Sequence, residues 1–94
     1  MAQRIIFSKK AQIDLARITH FNDSRNKSDS YSKKLFLRLT KRLKLLLKQP
    51  LSGLKTNSAI IMLLVWDNYY VFYRVDETTL EIVSIYHQKE NVIR

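Results

Sequence analysis

Apolar residues recur along this chain in two rhythms. Gln3–Phe7 closes on the run Ile5-Ile6-Phe7 and reads as a short strand that stops at Ser8, a good helix N-cap. Beyond it Ala11, Leu15 and Ile18 repeat at spacings of four and three, with Phe21 at the edge of the stripe, which predicts a first helix. Asn22–Ser30 is polar and turn-forming and is predicted to connect two helices. The second helix runs from Asp29 or Ser30 to Gln49. Tyr31, Leu35, Phe36, Leu39, Leu43, Leu46 and Leu47 gather on one side of it, and Lys33, Lys34, Arg38, Lys41, Arg42, Lys44 and Lys48 fill most of the other. Leu37 and Leu45 fall inside that basic sector, where apolar side chains suit a partner better than water. Leu37, Arg38, Lys41, Leu45 and Lys48 are therefore the candidate partner-binding residues.

Pro50 ends the helix, and Leu51–Ser58 is a loop holding the only glycine, Gly53. The period then shortens. Ala59–Trp66, Tyr69–Val75 and Thr79–His87 read as three strands, joined by a tight Asp67-Asn68 hairpin and a turn over Asp76–Thr78. All but one of the side chains of Tyr69–Val75 are aromatic or β-branched, so this segment is expected to be a central strand covered on both faces. Its exception is Arg74, whose planar cation needs a carboxylate, a phosphate or water at its tip. The order β-α-α-β-β-β predicts a single α+β domain over residues 1–94, two layers deep, with a helical hairpin packed on an antiparallel sheet.

Composition adds a charge and several exclusions. Seventeen Lys and Arg against eight Asp and Glu leave +9, a field that calls for acidic partners: nucleic acid, the ribosome or an acidic protein segment. With no cysteine there are no disulfides or thiolate metal sites. No signal segment or membrane-length apolar run is present, so a cytoplasmic protein without membrane contact is expected. One glycine cannot build a phosphate-cradling loop or a nucleophile elbow, and His20 and His87 lack further metal ligands, so neither metal nor cofactor is expected.

What remains is a set of cations and phenols: Lys55, Arg74, Tyr86, His87, Lys89 and Arg94. These suit phosphodiester chemistry without a metal. In that reading His87 is the general acid or base, Arg74 and Lys89 offset growing phosphorane charge, and Tyr86 stacks or orients a base. The plainer reading makes Tyr86 the last ring of a strand, His87 a sheet-edge residue and Lys89 and Arg94 a solvated tail. His20 reads as surface, and Asp14, with no second acid near it, as an ion-pair partner for neighbouring cations.

Several short patterns in fixed order carry a family resemblance: Phe7-Ser8 with Ala11, Asp14-Leu15, Ile18 and Phe21; Arg25-Asn26-Lys27-Ser28 with Tyr31-Ser32 and Lys34-Leu35; Leu46 through Pro50 and Gly53; Tyr69 with Phe72-Tyr73; and Ile82 through His87. Over nearly its whole length the chain resembles the RelE/ParE superfamily, the toxins of bacterial type II toxin–antitoxin modules, plasmid-stabilisation systems among them. The resemblance implies a growth-inhibiting toxin neutralised by a cognate antitoxin, which also supplies any oligomer contacts. RelE-like members are metal-independent endoribonucleases (mRNA interferases) that cut mRNA on the ribosome, and ParE-like members inhibit DNA gyrase. Relatives commonly carry an arginine where this chain has Met62, and an apolar side chain cannot replace that phosphate clamp. A degenerate, non-catalytic homologue that only binds an antitoxin or nucleic acid is the alternative.

Overall fold

The computed structural model describes residues 4–26 and 30–89, with side chains placed for 4–19 and 33–89. Arg94, the side chains of His20, Phe21 and Tyr31, and the predicted strand start at Gln3 lie outside the described residues. Five strands and two helices follow in the order β1 (Arg4–Phe7), α1 (Lys9–Asn26), α2 (Ser30–Lys48), β2 (Leu54–Lys55), β3 (Met62–Trp66), β4 (Tyr69–Val75) and β5 (Thr79–His87). The sheet order is β1-β5-β4-β3-β2, so the aromatic strand β4 is the middle one, as its composition predicts. β2 to β5 pair antiparallel, and β1 joins the edge of β5 in parallel. The fold is the predicted two-layer α+β arrangement, with one parallel edge.

Two boundaries and one extra strand differ from the expected pattern, each for a local reason. Helix α1 continues to Asn26, through half of the predicted connector, because Asn, Asp and Ser cost a helix only tenths of a kcal/mol each and no Gly or Pro interrupts it. The strand predicted from Ala59 starts at Met62. The hydroxyl of Thr56 donates to Ile61 O at 2.7 Å and accepts the Ser58 N–H at 3.1 Å, which folds residues 56–61 into a turn. That turn brings Leu54 opposite Leu63 and Lys55 opposite Met62, forming the short strand β2 within the expected loop Leu51–Ser58.

Ser8 caps α1 as predicted: its Oγ accepts the Ala11 N–H at 3.0 Å and donates to Val83 O at 2.9 Å. The core lies between the helices and one face of the sheet. Leu35, Leu39, Leu43 and Leu46 of α2 and Ala11 and Ile18 of α1 share it with Leu64, Tyr69, Val71, Tyr73, Leu80, Ile82 and Ile85. Tyr73 is fully buried there, yet its hydroxyl is satisfied, donating to Pro50 O at 2.7 Å and accepting the Gly53 N–H at 3.1 Å. One phenol thus pins the loop after α2 to the middle strand.

The space at Gly53 follows from this contact. A Cβ there would lie 2.3 Å from the Tyr73 hydroxyl and 2.9 Å from Leu63 O. Gly53→Ala is expected to cost about 1–3 kcal/mol by overpacking, and Tyr73→Phe a similar amount, about 1–3 kcal/mol, by orphaning two backbone groups. In urea unfolding the double variant should lose less than the sum, because the missing hydroxyl makes room for the methyl; strict additivity would refute the coupling. Burial raises the Tyr73 phenol above its ordinary 10.0 against the opposing Gly53 hydrogen bond and the Arg42 charge. Its stabilising contribution is therefore whole below that pH and is lost as pH rises through the folded value. Tyr73→Phe should remove that part of the alkaline decline.

Candidate functional site

Strand register decides which candidate side chains can meet. Across β4 and β5 the partners are Tyr69 and His87, Tyr70 and Tyr86, Phe72 and Ser84, and Arg74 and Glu81. Tyr69, Val71 and Tyr73 belong to the helix-side core, so Tyr70, Phe72 and Arg74 occupy the opposite, outer face. The register shifts between Phe72 and Tyr73, which leaves Val83 as an extra residue in β5. That bulge matters to the site. Glu81 and Tyr86 are an odd number of residues apart and would face opposite ways on a regular strand, but the bulge puts both on the outer face.

Of the four predicted catalytic residues, Tyr86 and Arg74 lie on the outer face and His87 on the helix side, with Lys89 two residues beyond it. Tyr86 lies on the outer face, edge-on to Phe72 with ring centroids 6.1 Å apart. His87, its neighbour in the strand, turns to the helix side, where its ring meets Tyr69 at 5.3 Å. Its Nδ1 accepts the Lys89 backbone N–H at 3.1 Å. Arg74 is on the outer face two pairs away from Tyr86, and its Nε donates to Glu81, the residue directly opposite. The guanidinium considered for a phosphate is therefore held by a carboxylate. Met62 pairs with Tyr73 and packs against the helix-side core, on the face away from Arg74. Lys55 is exposed on the far edge strand.

Tyr86 keeps company that the sequence reading missed. Lys10 Nζ donates to its hydroxyl at 2.7 Å and lies 4.5 Å from its ring centroid, and the Arg17 guanidinium lies 5.9 Å from the same ring. Between the two cations sits Asp14, 5% exposed, accepting from Lys10 at 2.9 Å, from Arg17 at 3.5 Å and from the Ile85 backbone N–H at 3.1 Å. Arg17 also donates to Ile85 O at 3.3 Å. β1 ends at Phe7, so beyond it the side chains of Ser8, Asp14 and Arg17 serve the open edge of β5 in place of a neighbouring strand. Partial burial pulls the Lys10 ammonium down, but its bonds to Tyr86 and Asp14 outweigh that and hold it above its ordinary 10.5. The spacing of residues 10, 14 and 17 along one helix face is the signal that could have revealed this cluster.

The candidate partner residues fall on the outward face of α2. Leu37 and Leu45 are 62% and 58% exposed, and Lys41 and Lys48 are exposed beside them. Arg38 reaches across to Asp67 at 3.2 Å and covers the Trp66 ring at 5.5 Å. That links α2 to the β3–β4 hairpin.

With this geometry the family can be stated. A model of the ParE toxin of the type II toxin-antitoxin system, parDE, matches residues 5–92. The chain belongs to the ParE toxin family. The fold agrees: the solved structure "Chromosomal ParDE TA system from P. aeruginosa" superposes with a TM-score of 0.72 at 15% identity, covering 93% of this chain and 96% of that one. No curated protein matches the sequence. In this ParE-family chain no described helix is long and apolar enough to cross a membrane.

The Asp14 cluster gives a direct test of what holds the edge of β5. Asp14→Ala should destabilise the fold by about 1–3 kcal/mol, chiefly by leaving the buried Ile85 N–H unpaired. The exposed cations contribute little of that. Asp14→Asn, whose amide oxygen still accepts from Ile85, should recover a good part of it; equal losses in chemical denaturation would assign the stabilisation to charge instead.

Proposed function

We propose that this ParE-family toxin arrests growth by binding and inhibiting DNA gyrase, in the cytoplasm, and that a cognate antitoxin neutralises it. The observation that carries the reading is how Tyr86, His87 and Arg74 are held apart among the described residues. His87 and Tyr86 lie on opposite faces of β5, and Arg74 is paired with Glu81. Phosphodiester cleavage needs an acid or base and a charge stabiliser within reach of one phosphate, and the separation of these groups supports an inhibitor that works by occupancy. The outward face of α2, with Leu37, Arg38, Lys41, Leu45 and Lys48, is its surface towards the gyrase–DNA complex.

Ribosome-dependent mRNA cleavage is the second reading. It is favoured by the phenol of Tyr86 with Lys10 and Arg17 over its ring, a place where a base and a phosphate could rest together. The two readings separate in one set of experiments. Expression of the chain should stop growth, purified protein should inhibit gyrase supercoiling, and ribosome-associated mRNA should stay intact. His87→Ala with Lys89→Ala should arrest growth to within a few-fold of the parent. Messages cut during arrest, with cutting abolished by that double substitution or by Tyr86→Phe, would overturn the gyrase reading in favour of the nuclease.

A further inference from the structure

The outward face of α2 has more structure than a generic partner surface. Across Ser30–Lys48 there are seven cations and no acid. Lys34, Lys41, Lys44 and Lys48 are all exposed and none forms an ion pair among the described residues, whereas Arg38 is paired with Asp67. On a helical projection Lys44, Lys48, Lys41 and Lys34 follow one another around the side opposite the buried Leu35, Leu39, Leu43 and Leu46. From Lys34 to Lys48 the row runs roughly 21 Å along the helix axis.

A protein partner usually offers mixed charge and a continuous apolar centre. Leu37 and Leu45 do not make one: they stand two turns apart with Lys41 between them, and single exposed leucines are ordinary on a surface. An unbroken row of one sign suits a ligand that is itself a row of the other sign. No aromatic residue interrupts the row from Lys34 to Lys48 except Phe36, which lies towards α1 and β1 beside Phe7, so unpaired bases have nothing to stack on there. We propose that α2 lies along the phosphate backbone of duplex DNA, with Lys34, Lys41, Lys44 and Lys48 as the contacts, so that the toxin touches the nucleic acid of its target complex as well as the protein. The choice of DNA over other duplexes rests on the gyrase reading above; the phosphate row does not.

The test uses the whole chain and a 20-base-pair DNA duplex of arbitrary sequence, with an RNA duplex and a Glu-rich amphipathic peptide as competitors. Fluorescence anisotropy across a salt series should give a log–log slope of about −3 to −4 for four neutralised phosphates. Lys41→Ala, Lys44→Ala and Lys48→Ala should each flatten it by about one. Lys55→Ala, with the same loss of charge on the far edge strand, should leave the slope nearly unchanged. Circular dichroism checks that each variant is folded, which the exposure of these side chains favours. A slope that falls equally for Lys55→Ala, or no binding at low salt, overturns the α2 site. Tighter binding of the peptide replaces DNA with an acidic protein. Tighter binding of the RNA duplex keeps the phosphate row but removes its tie to DNA. None of these outcomes depends on growth arrest or supercoiling, so the gyrase reading stands or falls separately.

Discussion

The leucines of α2 meet Tyr69, Val71 and Tyr73 of the middle strand in one shared core, and most other features of the molecule depend on that contact. It assigns β4 an inner and an outer face. Once Val71 and Tyr73 are committed inward, Arg74 must face out, and the register with β5 places Glu81 beside it. It also sets the basic side of α2 outward, because a helix that buries Leu35, Leu39, Leu43 and Leu46 has no other side to expose. Tyr73 extends the same constraint beyond the core, since its hydroxyl holds Pro50 and Gly53 and with them the entry to β2.

The edge of β5 shows a different economy. A parallel partner covers its first half, and α1 covers the rest with side chains, Ser8 and Asp14 and Arg17, that take the place of backbone groups. A short β1 is thereby enough, and the unpaired ladder that invites edge-to-edge association is closed. The same arrangement gathers two cations around Tyr86. Its chemistry is directed inward, to a carboxylate and a strand, which is why it reads first as structure and only secondarily as a place for substrate.

Function follows from what is brought together and what is kept apart. Arg74 is paired with Glu81, His87 turns to the helix side and Met62 packs against the helix-side core, so these three side chains are held apart. The helix α2 loses nothing by the same packing. Its exposed cations stay in water, aligned and of one sign.

The sequence by itself determined the helices, the aromatic middle strand, the N-cap at Ser8 and the exposure of Leu37 and Leu45, because each of these is written in a local period or a single cap residue. It also carried the family, through short patterns spread along nearly the whole chain. It did not determine the site. Whether Arg74 meets Asp76, Glu77 or Glu81 is a matter of register, and the bulge at Val83, which turns Glu81 and Tyr86 to one face, leaves no mark in composition. Nor could spacing alone bring Lys10 to Tyr86, 76 positions away, since that contact exists only because β1 ends early and α1 closes the edge of β5. Period and propensity act over a few residues, whereas the meeting of side chains across strands is fixed by pairing, and pairing is settled only when the whole sheet has found its core.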